Sequence, residues 1–159
     1  MKKIYFLVFA IIIGLTASSC SDETTELLNT PYGEMTFIVN DVQKVYNNVQ
    51  VTEKVGSTGQ RYLNVVGSNN GVPGEYIAFR INKYETGANR ATRWAYSQDS
   101  NLAIRKQVDG EEYDIDSNTL LNSDNRLRGT FSGQLYNEYS NIVVTIEAGE
   151  FTYNYNLPE

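Results

Sequence analysis

The sequence predicts an all-β domain, an antiparallel sandwich or barrel of about nine strands. Three observations lead there. Twelve tyrosines and many Val, Thr and Asn residues favour extended chain. No apolar run recurs at helical spacing. Turn signals punctuate the chain every 8–15 residues from about residue 33 onward.

The strands are read in order. Glu34–Asn40 alternates, with Met35, Phe37 and Val39 on one face. After an Asn40-Asp41 turn come Val45, Val49 and Val51. Gly56–Gly59 is a loop, Tyr62–Val66 a short apolar strand, and Ser68–Gly74 (SNNGVPG) a turn cluster. Tyr76–Tyr84 places Ile77, Phe79 and Ile81 together, and Glu85–Arg90 is a loop. Thr92–Tyr96 carries the single tryptophan, Trp94.

Asp109-Gly110 has the composition of a two-residue type I′ hairpin turn. That turn sets Val108 against Glu111, Lys106 against Tyr113, Arg105 against Asp114 and Ile104 against Ile115. Leu102, Ile104, Val108, Tyr113 and Ile115 then share one face, and Arg105 meets Asp114 on the other. Leu127–Tyr136 sets Leu127, Phe131 and Leu135 on one side, with Gly129 and Gly133 between them. A five-residue connection, Asn137–Asn141, leads to Ile142–Leu157. Its apolar side chains are even-numbered at first (Ile142, Val144, Ile146) and odd-numbered later (Phe151, Tyr153, Tyr155, Leu157). A one-residue slip reverses a strand's faces, so Ala148-Gly149 is expected to form a bulge.

Ahead of the domain lies a leader. Lys2 and Lys3 precede an apolar run from Ile4 to Leu15, interrupted only by Gly14. The run has the length of a secretory h-region and is short for a spanning helix, which needs about 20 residues. Ala17, Ser18 and Ser19 then precede Cys20. This stretch resembles the lipobox of bacterial lipoproteins, with Ala17 where that motif more often has Leu. The resemblance implies cleavage after residue 19 and acylation of Cys20. The alternative is an ordinary signal peptide cut near Ala17, which leaves an exposed odd thiol in an oxidising compartment. A multiply acylated cysteine anchors stably without a spanning segment, since each buried methylene contributes about 0.8 kcal/mol.

The expected organisation is a signal peptide over residues 1–19, a tether over 20–32 and one β domain over 33–159. Ser21–Tyr32 (SDETTELLNTPY) is acidic, lacks a base and contains Pro, so it reads as a flexible tether of at most roughly 40 Å. Its Ser-Asp-Glu start is similar to the acidic signal that sends Bacteroidota lipoproteins to the outer face of the outer membrane; the periplasmic face is the alternative location. Removing the first 19 of 159 residues leaves 140, enough for one core. Loss of Lys2 and Lys3 takes the net charge from −6 to −8, which speaks against nucleic acid as a partner.

The GTFSGQLYN run (Gly129–Asn137) followed by TIEAGEF (Thr145–Phe151) resembles the C-terminal hairpin of small Bacteroidota lipoproteins assigned to a domain of unknown function. Thr36-Phe37-Ile38-Val39-Asn40-Asp41 is similar to their Phe-rich opening strand, with Asp41 in place of the usual Gly. The resemblance implies a secreted all-β lipoprotein and brings no known activity.

The chain has no histidine and one cysteine, which removes Ser-His-Asp and Cys-His nucleophile systems and the usual zinc ligands. No Gly-rich phosphate loop is present, and no cofactor is implied. Carboxylates are what remain for catalysis. Asp114-x-Asp116-x-Asn118 resembles the start of a calcium loop, and Glu112, Asp114 and Asp116 share a strand face. Thr119 and Asn125, however, stand where such a loop needs Gly and Glu. The other reading, and the one adopted, is a solvated acidic face balanced by Arg105 that binds no metal. Trp94 with Arg93, Tyr96 and Tyr84 is the candidate recognition surface, because aromatics beside Arg stack on sugars and partner side chains. Six of the eleven basic residues beyond the leader fall between Arg80 and Lys106. The competing reading buries Trp94 in the core with Tyr96 beside it.

The expected function is therefore a membrane-anchored, non-catalytic binding module. Its partner is a glycan, a peptide or an envelope protein. A structural or accessory subunit of a surface assembly is the alternative, and a carboxylate-based enzyme a remote third.

Overall fold

The computed structural model describes residues 32–154, apart from 71, 100 and 124; the leader, Cys20, nearly all of the tether, Tyr155 and Leu157 lie outside this range. Among the described residues there is no helix. The strands are β1 (Tyr32–Val39), β2 (Val42–Tyr46), β3 (Asn48–Val55), β4 (Arg61–Ser68), β5 (Tyr76–Asn82), β6 (Gly87–Ala88) and β7 (Ala91–Gln98). There follow β8 (Asn101–Ile104), β9 (Lys106–Val108), β10 (Glu111–Tyr113), β11 (Ile115–Ser123), β12 (Arg126–Asn137) and β13 (Ile142–Asn154).

Nine of them form one antiparallel path, β2-β1-β13-β12-β8-β7-β5-β4-β3. Its two ends are neighbours in sequence, separated by Asn47 alone. The first half of that passage pairs with β1 and the second with β4, so the sheet nearly closes into a barrel. Closure is completed by a side chain: the Tyr153 ring lies where a Cβ on Gly33 would sit, against Val49, across the gap between β1 and β3.

β12 serves two neighbours in turn. Residues 126–133 pair with β11, and Tyr136 pairs with Ile104 of β8. Between β8 and β11 the chain leaves the wall as the β9–β10 hairpin. Asp109 (φ 52°) and Gly110 (φ 90°) are both left-handed, as a type I′ turn requires. The pairs Glu111–Val108 and Tyr113–Lys106 fall in the expected register. The expected Ile104–Ile115 pair does not form, because each residue joins the barrel separately, opposite Tyr136 and Gly133.

The interior is a run of aromatic rings. Trp94 stacks on Phe131 at 5.0 Å and meets Phe79 at 4.4 Å; Phe79 touches Phe151 at 5.0 Å; Phe37 contacts Phe131 at 5.8 Å and Tyr46 at 4.9 Å. Leu63, Val65, Ile77, Ile81, Leu127, Leu135 and Ile146 pack around them. Ala148 (φ 48°) forms the expected bulge in β13. There the partners step from Phe131–Gly149 to Gly133–Ile146, which turns both Ile146 and Phe151 inward.

Three local expectations are corrected. In β2 the inward residue is Tyr46, while Val45 is exposed. In β8 the inward residue is Ala103, so Leu102 and Ile104 are not core. β11 is a nine-residue strand that the apolar pattern does not announce, because its inward positions include Ser117, Thr119 and Asn122. Among the described residues, Ser117 Oγ, Thr119 Oγ1 and Asn122 Oδ1 are buried without a hydrogen-bond partner.

The turns sort to two ends. Val39–Val42, Ser68–Tyr76, Gln98–Asn101 and Asn137–Ile142 close one end. Val55–Arg61, Ile81–Ala91 and Ser123–Arg126 lie at the other, where Tyr32 pairs with Asn154. The chain therefore enters the barrel at the second end.

Gly149 is held to glycine by contact: a Cβ there would sit 2.5 Å from the Phe131 carbonyl oxygen and 2.6 Å from its ring. Gly149→Ala is expected to destabilise the domain by about 1–3 kcal/mol through overpacking, read from urea denaturation midpoints. An unchanged midpoint refutes this account of the bulge.

Candidate functional site

The four residues of the expected recognition surface do not assemble. Trp94 is 2 % exposed, and its indole N–H donates to the Ala91 carbonyl at 3.2 Å. Tyr96 is equally buried and donates its hydroxyl hydrogen to Gln98 Oε1 at 2.9 Å. Burial, then the charge of Glu75, push the Tyr96 phenol up to about 12. Tyr84 is exposed at the opposite end of the barrel, with the Lys83 ammonium 5.1 Å from its ring centre. Only Arg93 reaches the outer wall.

Neighbours on a strand face opposite sides, and a bulge decides which of the two faces inward. Arg93 has φ 56°, and the β5–β7 pairing steps from Ala78–Ala95 to Arg80–Thr92, so Arg93 and Trp94 together oppose Phe79. Trp94 turns in and Arg93 turns out.

The carboxylates expected on one face also separate. Arg105 engages both Glu112 and Asp114, the latter at 3.1 Å. Asp116, on β11, accepts from Asn89 Nδ2 at 3.2 Å. Among the described residues no three His, Cys, Asp or Glu side chains are grouped to hold a metal ion.

Three depressions formed by the described residues bear on binding. At the end of the barrel away from Tyr32 is a mouth of about 220 Å³, lined by Asn40, Gln98, Asp99, Asn101, Ser140 and Ile142 among others. Its rim is stiffened by local bonds. The Asn137 side-chain oxygen accepts from the backbone N–H groups of Tyr139 and Ser140, and Asn40 exchanges bonds with Thr145. A wider hollow of about 500 Å³ lies over β6, β11, β12 and β13, with Asp116 and Glu150 on its walls. A third, of about 330 Å³, lies on the outer face of β4, β5 and β7 and holds Arg80 and Arg93. Nothing in the apolar alternation pointed to Arg80; the signal available was the cluster of basic residues from Arg80 to Lys106.

A buried ion pair fixes the β4–β5 loop at the mouth end. Glu75 is 3 % exposed, pairs with Lys44 Nζ at 2.6 Å and accepts from the Tyr46 hydroxyl at 2.9 Å. Burial works to raise the pKa of this carboxyl, but the hydrogen bonds from Lys44 and Tyr46 together outweigh it and hold it below the ordinary value. Burial also pushes the Tyr46 phenol up, aided by Tyr96 and Glu75.

Comparison of the chain with family models, with curated proteins and with solved structures returned no match. Fold and surface therefore carry the functional reading.

Because the Glu75 pKa is depressed in the fold, its contribution is present above the unfolded value near 4.5 and is lost as pH falls through the folded value. Glu75→Gln should cost roughly 2 kcal/mol at pH 7 and flatten the acid limb of the stability–pH curve below about pH 4.5. Chemical denaturation between pH 3 and 7 measures it; parallel curves for the two proteins refute the role of this pair.

Proposed function

We propose that the protein is a non-catalytic binding module held on the outer membrane, facing the cell exterior, by a lipidated Cys20. Its contact surface is the loop-bearing end of the barrel, and its partner a glycan, a peptide or an envelope protein. One observation carries the reading: the chain enters at Tyr32, at the end of the barrel opposite the mouth. A chain moored ahead of Tyr32 leaves the mouth and its loops at the end of the barrel away from its point of attachment. The interior supports the same view, since apolar and aromatic side chains fill it and leave binding to the outside.

A structural or accessory subunit is the second reading. It draws on apolar side chains exposed at or beside the mouth end, namely Tyr139 (89 %), Val42 (56 %) and Ile142 (53 %).

The anchor is tested by expressing the full chain and Cys20→Ser in a diderm bacterium. The unaltered chain should incorporate labelled palmitate and enter the detergent phase, and Cys20→Ser should do neither. A Cys20→Ser chain that still labels refutes the anchor. The surface is tested by co-sedimentation with isolated cell envelopes. Tyr139→Ser combined with Ile142→Asp should leave the melting temperature within a few degrees and reduce binding at least tenfold; unchanged binding refutes the loop end as the contact surface.

A further inference from the structure

The outer face of β3, β4, β5 and β7 is basic on an acidic chain. Its outward residues, followed strand by strand, include Lys54, Arg80 and Arg93, and among the described residues no Asp or Glu. Glu53 points the other way, to Lys83 at 2.9 Å and Arg61 at 3.2 Å. Every other arginine or lysine with a short ion pair lies off this face; Arg80 and Arg93 have no carboxylate partner among the described residues.

Arg80 is held in place. Its guanidinium lies 4.0 Å from the centre of the Tyr62 ring, and its Nε donates to Asn64 Oδ1 at 3.1 Å. Those contacts use the ring face and one donor, leaving the terminal fork to meet an oxyanion with little further ordering. Arg93 is aimed into the same groove by a left-handed residue in a bulge, a device that re-aims a side chain at some conformational cost. Beside the two arginines the groove is floored by Val66 and Ala78, small and apolar.

We infer that this groove binds an acidic sugar chain. The oxyanion of a hexose residue, a carboxylate or a sulfate ester, sits between Arg80 and Arg93. The C–H face of the ring rests on Val66 and Ala78, and Asn64 serves the hydroxyls. An extended acidic peptide is disfavoured along β4 and β5, since β4 is paired on both sides by β3 and β5, and β5 by β4 and β7, which leaves these two strands no edge for a peptide to join. The inference depends neither on the anchor at Cys20 nor on the mouth.

The test is titration calorimetry on the full chain in detergent, at low and at physiological salt. Tetragalacturonate should bind, more tightly at low salt. Arg93→Asn, which keeps a residue tolerant of left-handed φ, should weaken binding about tenfold or more, as should Arg80→Gln. Arg126→Gln, on β12, should leave it unchanged. Arg93→Asn alters an exposed side chain, so the test stands even if Arg80→Gln fails to fold. A sulfated tetrasaccharide that competes assigns the shared oxyanion; one that does not assigns the carboxylate. The inference is overturned if tetragalacturonate does not bind or if neutral galactotetraose binds equally. It also fails if tetraglutamate or inorganic phosphate matches tetragalacturonate, or if Arg93→Asn binds unchanged.

Discussion

The barrel is built around a single packing constraint: bulky rings from five strands must meet in the middle of a narrow sheet. Phe37, Phe79, Trp94, Phe131 and Phe151 form one contiguous group, each with a centroid within about 6 Å of another. Rings of that size fit only where the facing strand has no side chain. A Cβ on Gly129 would lie 2.5 Å from the Phe151 ring, and one on Gly149 would lie 2.6 Å from the Phe131 ring. Each glycine thus sits on the strand opposite the ring it admits. The bulge at Ala148 follows from the same demand, because without the extra residue Ile146 and Phe151 could not both turn inward.

Closure is a consequence of the same geometry. A sheet that curls around an aromatic centre brings its first and last strands together, and here those are two halves of one passage, β2 and β3. The halves diverge to pair with different neighbours, and the gap is covered by Tyr153 over Gly33. At the far end of the same passage Lys44 and Tyr46 reach the buried Glu75. A buried pair of this kind offsets its desolvation only if the remaining lone pairs are used, and the Tyr46 hydroxyl supplies such a bond. The mouth loops are therefore tied to the wall by a polar contact rather than by apolar burial.

Regular alternation made β1, β5 and β12 legible from the sequence: Met35-Phe37-Val39, Ile77-Phe79-Ile81 and Leu127-Phe131-Leu135 all face inward. The Asp109-Gly110 turn and the parity change in β13 were legible for equally local reasons. What was hidden required knowledge of the opposing strand. Ala103 lies inside because β8 aligns with Tyr96, although Leu102 is the more apolar neighbour. β11 was hidden by Ser117, Thr119 and Asn122. Asn122 is an inward amide whose N–H groups donate to the carbonyls of Asn82 and Glu85, so it bonds the β5–β6 turn instead of filling core space. Arg93 and Trp94 form no common surface because neighbours on a strand face opposite sides, and only the pairing with Phe79 reveals that Trp94 is the one turned inward.

That bulge also bears on what the barrel can do. Neighbours in regular alternation face opposite sides; what the extra residue changes is the parity, so that Ala91 and Trp94 both face the core while Thr92 and Arg93 both face out. Trp94 joins the aromatic centre and Arg93 stands on the outer face. Arg93 is thereby backed by Trp94, among the most rigid side chains in the molecule, stacked between Phe79 and Phe131. Arg80, the residue next to Phe79, is backed in the same way. Charged side chains mounted on a well-packed sheet lose little freedom when they meet a ligand, whereas the same residues on a loop would have to be ordered first. With the interior filled by apolar side chains, Arg80 and Arg93 stand on a rigid wall without a carboxylate partner among the described residues.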